Sequence, residues 1–446
     1  MAPQPALDRR LQRLASAFTP EWLAAQRWYR GKSRRLASVE LVDAAPIGGP
    51  GWLLVMAATD AAEEVTRYLV PVTADGDAFR EPRDEEGVWR GLAARILEGG
   101  DLEGAHGRWV FTPTRAASGV PPVSVAALAG LAERRLGVQQ TNTSVALGEE
   151  LMLKVYRALE RGVNPEVEVN AFLTAAGFGQ APALVGSASY LLDGETHSAG
   201  MLQRFVPSSG DAWSWVLGRL ADSAAGPAEA IAGITRIGAL TARMHAALAS
   251  NPDAPGFPLR AATPEELVAW RAAAEGQLKA ALAVLDAEPQ ARLEAIAPRI
   301  TARFEAIRSA SGARVSRIHG DYHLGQLLRT ETGFVVIDFE GEPARTLPER
   351  RAPASPLRDV AGMLRSLDYA AHATDPSGDH RRGRPTWLRN ARSAFLAGYG
   401  GIGADDEPLL AAFELEKACY EVRYEANNRP DWVWLPLDAL ERLAEH

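Results

Sequence analysis

The sequence is poor in the features that mark secreted or membrane-embedded proteins. It contains one cysteine, Cys419, so no intrachain disulfide can form, and a reducing compartment is favoured. No apolar run approaches the roughly 18 residues that a membrane span requires. Residues 1–10 are polar and of mixed charge, without the apolar stretch of a signal peptide. We therefore expect a cytoplasmic protein with no membrane partner.

The charge balance excludes a second class of partner. The formal net charge is −8, with 56 acidic against 48 basic residues, which argues against nucleic acid or an anionic membrane surface as the main partner. Hydrophobic residues make up 47% of the chain and charged residues 23%, as is ordinary for a globular protein. The length of 446 residues predicts two to three domains.

The most informative stretch combines two aspartates with one amide. Asp321 lies in a His-Gly-Asp turn, Gln326 follows five residues later, and Asp338 ends a short β-branched run. Metal-assisted phosphoryl transfer needs one carboxylate to orient and deprotonate a hydroxyl, and hard oxygen ligands for Mg²⁺ beside the nucleotide phosphates. The pattern therefore predicts Asp321 as the catalytic base and Gln326 with Asp338 as metal ligands.

A lysine inside an apolar strand predicts a nucleotide phosphate site. Lys154 lies within a run of Leu, Met, Val and Tyr, where burial is costly unless the ammonium meets an anion. A phosphate together with a carboxylate of the next helix would satisfy it. We expect Glu168 to be that carboxylate, and Glu166, two positions earlier on another face of the helix, is the alternative.

A small polar turn precedes the lysine strand. Thr143 and Ser144 lie where backbone N–H groups could approach phosphates, so both are predicted to contact the nucleotide. The turn has no glycine pattern, and a plain hairpin is the alternative.

Near the C-terminus, one broad helix face combines aromatic, charged and amide groups, a mixture that suits sugar hydroxyls and sugar C–H faces. An ordinary amphipathic helix with salt bridges is the alternative. His323 is also assigned to the substrate, with packing beneath the catalytic turn as the alternative. The predicted substrate residues are Asp321, His323, Lys417, Tyr420, Glu421, Tyr424, Glu425 and Asn428.

These motifs resemble those of the bacterial maltokinases, within the aminoglycoside-phosphotransferase-like kinases, over essentially the whole chain. Related kinases usually have Asn as the metal-binding amide. Gln326 departs from that pattern, and the departure is one of the features that resemble the maltokinases. An Arg-Trp segment, 27–32, resembles the start of the maltokinase cap. The resemblance implies an α+β, bilobal protein-kinase-like fold with an N-terminal cap. Its parts would be a cap subdomain at 1–88, a nucleotide-binding lobe at 89–206 and a helical lobe at 207–446.

The resemblance also implies roles for individual residues. Gln203 and Phe205 would lie in a hinge strand whose backbone binds adenine. His319 would brace the catalytic turn by hydrogen bonding, and Asp359 would hold the catalytic loop.

The implied activity is ATP-dependent and Mg²⁺-dependent phosphorylation of maltose to maltose 1-phosphate. The product would feed α-glucan or glycogen synthesis from trehalose, with trehalose synthase as a possible partner. Two rivals are a kinase for another sugar, an amino sugar such as glucosamine or an aminoglycoside, and a catalytically silent scaffold. A cationic acceptor would demand a denser wall of carboxylates, and the intact set of catalytic residues disfavours the scaffold.

Overall fold

The chain divides after Pro207 into two units of different character, Met1–Pro207 and Ser208–His446. The computed structural model describes residues 11–12, 15–29, 31, 35–76, 78–114, 121–137, 141–222, 225–373 and 384–445. Arg30 and Lys32 of the predicted cap segment lie outside the described residues. Within the described ranges, no helix combines the length and apolar character needed to cross a membrane. The three parts expected from the sequence, and the two boundaries between them, stay predictions.

The first unit begins with helix α1 (Pro20–Ala25) and a four-stranded antiparallel sheet in the order β1-β2-β3-β4. The strands are β1 (Leu36–Gly48), β2 (Gly51–Asp60), β3 (Val65–Asp75) and β4 (Ala78–Arg80). Strand β2 is buried on both faces, because Leu54 and Met56 belong to the core that contains Trp28, while Leu53 and Val55 join the core of the second sheet. The sheet therefore shares a hydrophobic core with the rest of its unit.

The second sheet of this unit has seven strands, in the order β5-β6-β10-β11-β9-β8-β7. They are β5 (Gly100–Glu103), β6 (Arg108–Pro113), β7 (Glu133–Arg135), β8 (Thr143–Leu147), β9 (Leu151–Val155), β10 (Leu184–Leu192) and β11 (Glu195–Arg204). The accompanying helices are α2 (Val88–Glu98), α3 (Val125–Leu128) and α4 (Pro165–Ala175). Strand β9, which carries Lys154, pairs with β8 on one side and β11 on the other. Its lysine therefore lies inside the sheet and not at an edge.

The second unit is mainly helical, as the Ala- and Leu-rich pattern predicts. Its helices are α5 (Ala212–Ala221), α6 (Gly226–Leu248), α7 (Pro264–Val284), α8 (Ala287–Ser309), α9 (Leu347–Arg351), α10 (Leu357–Ala373), α11 (Pro385–Tyr399), α12 (Glu407–Asn428) and α13 (Trp434–Glu445). Two short antiparallel pairs join β12 (Arg260–Ala261) to β13 (Arg314–Val315) and β14 (Leu327–Thr330) to β15 (Gly333–Val336).

The β14–β15 hairpin positions the predicted metal ligands. Leu327 pairs with Val336, and the N–H of Ile337 donates to the carbonyl of Gln326 at 3.0 Å. Because the strands are antiparallel, the residue before β14 and the residues after β15 meet at one end of the hairpin. Gln326 and Asp338 are thus neighbours although 12 positions apart in sequence.

Candidate active site

The catalytic turn of the second unit is held from inside by His319. Its Nε2 donates to the carbonyl of Ile337 at 2.9 Å, while Nδ1 accepts from the backbone N–H of Asp321 at 3.3 Å. The ring packs against Phe339, with 4.8 Å between ring centroids. These contacts confirm His319 as a brace, and they tie the turn to the end of strand β15.

Asp359, near the start of α10, holds the same turn from beneath. Its carboxylate accepts the backbone N–H groups of His319 at 2.8 Å and Gly320 at 2.9 Å, and it contacts His245 Nε2 at 3.0 Å. Although burial alone would raise the pKa of Asp359, His245 and the N–H donors lower it. The carboxylate therefore stays ionised and fixes a turn whose Gly320 has φ +86°, a left-handed conformation that suits glycine. The predicted loop-holding role is confirmed.

Asp321 shares its surroundings with an ammonium group and a second carboxylate. Lys417 Nζ on α12 lies 3.6 Å from Asp321 Oδ1 and 2.8 Å from Glu342 Oε1. Although burial alone would lower the Lys417 pKa, Glu342 and Asp321 raise it above the ordinary value. Although burial alone would raise the Glu342 pKa, Lys417 and Arg345 lower it to about 2. Lys417 and Glu342 are therefore both charged at neutral pH.

The two predicted metal ligands lie side by side. Gln326 Nε2 is 3.4 Å from Asp338 Oδ2, at the end of the β14–β15 hairpin. Asp338 has φ +66°, a rare conformation for a residue with a side chain and one that is concentrated at functional sites. A rotation of the amide would exchange its nitrogen for its oxygen, so the pair can offer carboxylate and amide oxygens, the ligands that suit Mg²⁺. The residues present therefore fit a hard divalent cation.

His323 contributes to the shape of the catalytic segment. Its Nδ1 accepts the N–H of Gly325 at 3.1 Å, which fixes the short 3₁₀ turn Leu324–Gln326 just before β14. Burial lowers the His323 pKa, so the ring is neutral at pH 7. A neutral ring that accepts a backbone N–H accords with the packing alternative, and its predicted contact with substrate stays a prediction.

In the first unit, the predicted lysine–glutamate pair forms with a different partner. Lys154 Nζ lies 2.7 Å from Glu166 Oε2, and both side chains are almost fully buried. The preference for Glu168 is corrected to Glu166, the alternative. The physical reason is the start of α4: Asn164 caps the helix through the N–H of Glu166, which places Glu166 in the first turn beside the sheet. Tyr156 also donates to the Glu166 carboxylate, at 3.1 Å.

The other predicted nucleotide residues lie on neighbouring strands of the same sheet. Ser144 on β8 pairs in register with Lys154, so their side chains leave the sheet on the same face. Thr143 begins β8, and its hydroxyl accepts from Arg157 Nε at 2.8 Å. Gln203 lies near the end of β11, and the N–H of Phe205 donates to the carbonyl of Glu150 at 2.9 Å.

The predicted sugar face of α12 divides into two parts. Its six residues span roughly 140° of the helix circumference at 3.6 residues per turn, which is too broad for one binding surface. Tyr420 lies beside Lys417, whose Nζ is 4.5 Å from the ring centroid, and Tyr424 stacks against Tyr420. Tyr424 is exposed, and Asn428 donates to its carbonyl. This part adjoins Asp321.

The second part of the face turns toward α10. Glu421 accepts from Arg365, with Oε2 2.7 Å from the nearest guanidinium nitrogen, and Glu425 accepts from Tyr369 at 2.9 Å and pairs with Arg429. Glu421 and Glu425 are buried in these contacts. The expectation that they share one sugar-binding face with Lys417 and Tyr420 is therefore corrected.

The pocket beside Asp321 also contains residues that the sequence did not indicate. Arg345 pairs with Glu342 at 2.9 Å, and Arg358 pairs with Glu416 at 2.9 Å. The acidic Glu340-Gly341-Glu342 segment after the predicted metal aspartate indicates carboxylates near the site. It does not indicate which cations pair with them. The walls of this pocket include Asp321, Glu342, Arg345, Arg358, Lys417 and Tyr420.

Comparison with known proteins identifies the family. Residues 132–367 match the model of the phosphotransferase enzyme family, a span that includes Lys154, Asp321 and Asp338. The chain belongs to the phosphotransferase enzyme family. Residues 22–90 match the maltokinase N-terminal cap domain, so this phosphotransferase also carries the cap that the Arg-Trp segment predicts.

Similar proteins agree with this assignment. A glucosamine kinase of Streptacidiphilus jiangxiensis is 29% identical over 399 residues, covering 86% of each chain. A glucosamine kinase of Mycolicibacterium smegmatis (strain ATCC 700084 / mc(2)155) is 27% identical over 403 residues, covering 85% of this chain and 96% of its own. A solved glucosamine kinase in complex with glucosamine, ADP and inorganic phosphate has 26% identity and a TM-score of 0.71, covering 95% and 98% of the two chains. The predicted α+β, bilobal kinase-like fold with an N-terminal cap is confirmed.

Proposed function

We propose that this phosphotransferase is a sugar kinase that transfers the γ-phosphoryl group of ATP to the anomeric hydroxyl of maltose, giving maltose 1-phosphate. The family match and the cap domain support a kinase of the maltokinase type. The similar glucosamine kinases support a sugar acceptor and make glucosamine the second candidate. The choice between the two acceptors depends on the charge of the pocket beside Asp321.

The observation that carries the proposal is the position of Lys417. Its ammonium lies 2.8 Å from Glu342 and 3.6 Å from Asp321, so it occupies the place where the ammonium of an amino sugar would seek a carboxylate. A second cation there would be repelled by Lys417, because like charges a few ångströms apart in a partly buried site interact strongly. A neutral sugar would instead meet an N–H donor suited to its hydroxyls.

Two arginines of the pocket wall also pair with carboxylates. Arg345 contacts Glu342, and Arg358 contacts Glu416 at 2.9 Å while stacking on Phe413 at 4.3 Å. Glu342 and Glu416 are thus balanced by fixed cations. This arrangement favours a neutral acceptor over glucosamine or an aminoglycoside.

The aromatic part of α12 supports an acceptor larger than one sugar ring. Tyr420 and Tyr424 stack with 6.5 Å between ring centroids, one helical turn apart, and the outer ring is 47% exposed. Aromatic rings pack against the C–H faces of sugars. With one glucose unit near Asp321 and Lys417, the tyrosines would offer a surface to the second glucose unit of maltose.

Within this proposal each predicted residue has a defined task. Asp321 orients the acceptor hydroxyl and takes its proton, while Lys154, fixed by Glu166, holds nucleotide phosphate oxygens. Thr143 and Ser144 would add contacts to the phosphates, and Gln203 and Phe205 would lie beside the adenine. Gln326 and Asp338 would hold Mg²⁺, which neutralises phosphate charge when it is bound.

A substrate panel tests the proposal. Purified protein, ATP and Mg²⁺ are combined with maltose, glucose, glucosamine or an aminoglycoside, and ADP release is followed by a coupled assay. Maltose should give the highest kcat/KM. Strong turnover of glucosamine with none of maltose would assign the second candidate, and no turnover of any acceptor would favour the scaffold. The route to α-glucan and the association with trehalose synthase stay predictions.

A further inference from the structure

Arg157 is a fully buried arginine that the proposed reaction does not use. It follows strand β9 by two residues, and only 1% of its surface is exposed. Burying a guanidinium is costly unless it is paired and hydrogen-bonded. The contacts that compensate its charge therefore show which parts of the unit Arg157 connects. They lead in two directions, to the first sheet of its unit and to Thr143.

Toward the first sheet, Arg157 is held by a cluster of three residues from the part that matches the cap domain. Its Nη2 lies 3.0 Å from Glu81 Oε1, and its guanidinium stacks on Trp28 at 4.7 Å from the ring centroid. Trp28 Nε1 donates to the same Glu81 oxygen at 3.3 Å. The carbonyl of Arg157 accepts the N–H of Leu69 on β3 at 2.7 Å. Both the side chain and the backbone of Arg157 are therefore fixed by the cap.

Toward the nucleotide side, Arg157 donates from Nε to the hydroxyl of Thr143 at 2.8 Å. Thr143 is the first residue of β8, and Ser144 beside it pairs in register with Lys154. One guanidinium therefore connects Glu81 and Trp28 of the cap with the end of the strand predicted to contact phosphates.

The neighbouring strand is held by the same stretch of the cap. The carboxylate of Asp84 accepts the backbone N–H of Arg135 at 3.2 Å, and that of Glu85 accepts the N–H of Glu133 at 2.9 Å. Both residues belong to β7, which pairs with β8. Residues 81–85 thus hold β7 directly and β8 through Arg157, so both strands of this pair depend on the cap.

We propose that Arg157 is a positioning residue through which the cap, by way of Glu81 and Trp28, sets Thr143 for binding of the ATP phosphates. The inference rests on the proposed function, because it assumes that this chain binds ATP. It gives the cap a task in nucleotide binding and assigns it none in acceptor recognition.

The test measures ATP affinity by calorimetry in the full-length protein. Glu81→Gln keeps the shape of the side chain and removes its charge, and Thr143→Val removes the acceptor for Arg157 Nε. Each should weaken ATP binding about tenfold, the loss expected for one hydrogen bond to a charged group. Because Glu81 would act on ATP through Arg157 and Thr143, the double variant should lose about as much as Thr143→Val alone, which is less than the product of the single losses. Independent, multiplying losses would overturn the proposal.

Three further variants separate positioning from folding. Asp75→Asn, an exposed cap residue paired with Arg80, makes the same charge change away from Arg157 and should leave ATP affinity unchanged. Arg157→Lys keeps the charge and should retain more affinity than Arg157→Met. Trp28→Phe keeps an aromatic ring, loses the donor to Glu81, and should raise the KM for ATP more than the KM for the sugar. Equal rises in both KM values, or losses that simply follow a lowered Tm, would show a merely structural role.

The two proposals can fail separately. If the wild-type protein binds no ATP, the proposed function itself fails. If the wild-type protein binds ATP and folded Glu81→Gln binds it equally well, only the role of Arg157 fails.

Discussion

Lys417 Nζ lies 3.6 Å from Oδ1 of Asp321, so the proposed catalytic base has a fixed cation beside it. The ammonium thus faces the carboxylate that would orient the acceptor hydroxyl, and the two opposite charges attract each other. Glu342, at 2.8 Å from the same ammonium, prevents Lys417 from pairing with Asp321 alone. The Asp321 side chain is 23% exposed and lines the pocket, so an acceptor hydroxyl can reach it.

Replacing the base should abolish most of the activity without unfolding the protein. In Asp321→Asn the amide cannot accept the hydroxyl proton, so we expect kcat to fall by about 10²–10⁴, the usual contribution of a general base. The coupled ADP assay measures it, with circular dichroism as the check of folding. Turnover equal to that of the wild type would remove Asp321 from this role.

Replacing Lys417 should change which acceptor is preferred. Lys417→Met removes the cation beside Asp321 and leaves Oε1 of Glu342 for an amino sugar, while Arg345 still pairs with Oε2. We expect the ratio of kcat/KM for maltose to that for glucosamine to fall by about tenfold or more. Arg389→Met serves as the control, because it removes an exposed cation that donates to Thr386 of its own helix. If the ratio is unchanged in the Lys417 variant, Lys417 does not select the acceptor.

Replacing Asp338 should uncouple nucleotide binding from the metal. Asp338 and Gln326 together offer the hard oxygens of the proposed Mg²⁺ site, and Asp338→Ala removes the charged ligand. Calorimetric titration with ATP should show that Mg²⁺ no longer strengthens binding by the variant. Wild-type affinity in the presence of Mg²⁺ would reject this ligand assignment.

The ion pair of Glu342 gives a prediction for stability against pH. Its pKa is about 2 in the folded protein against an ordinary value of 4.5, so the unfolded state binds the proton more tightly between these values. The stability contributed by the charged carboxylate is complete above about pH 4.5 and is lost as the pH falls toward 2. The difference in Tm between the wild type and Glu342→Gln should therefore be constant above pH 5 and shrink below it. A difference that grows on acidification would contradict this ion pair.

The catalytic segment could be predicted because its residues lie close together in the sequence and are joined by a single hairpin. A strand that begins after Gln326 and a partner that ends before Asp338 form a hairpin whose register brings the two side chains together. His319 was predictable for the same reason, since its partner Ile337 belongs to the end of that hairpin.

Partners distant in sequence could not be predicted. The choice of Glu166 over Glu168 depends on the rotation of α4 about its axis, which the cap by Asn164 sets, and the Asn-Pro start of the helix was a usable signal. The sequence assigns Glu421 and Glu425 to the sugar site because the pattern of α12 does not indicate their partners. These are Arg365 for Glu421 and Tyr369 for Glu425, each 56 positions earlier. Helical spacing shows which residues share a face but not what that face meets.

The most direct test of the account is the chemical identity of the product. The protein is incubated with ATP, Mg²⁺ and an equimolar mixture of maltose and glucosamine, and the phosphorylated carbon is identified by two-dimensional ¹H–³¹P NMR. The account predicts a phosphate coupled to the anomeric proton of maltose. A phosphate found on glucosamine, with maltose unmodified, would contradict it.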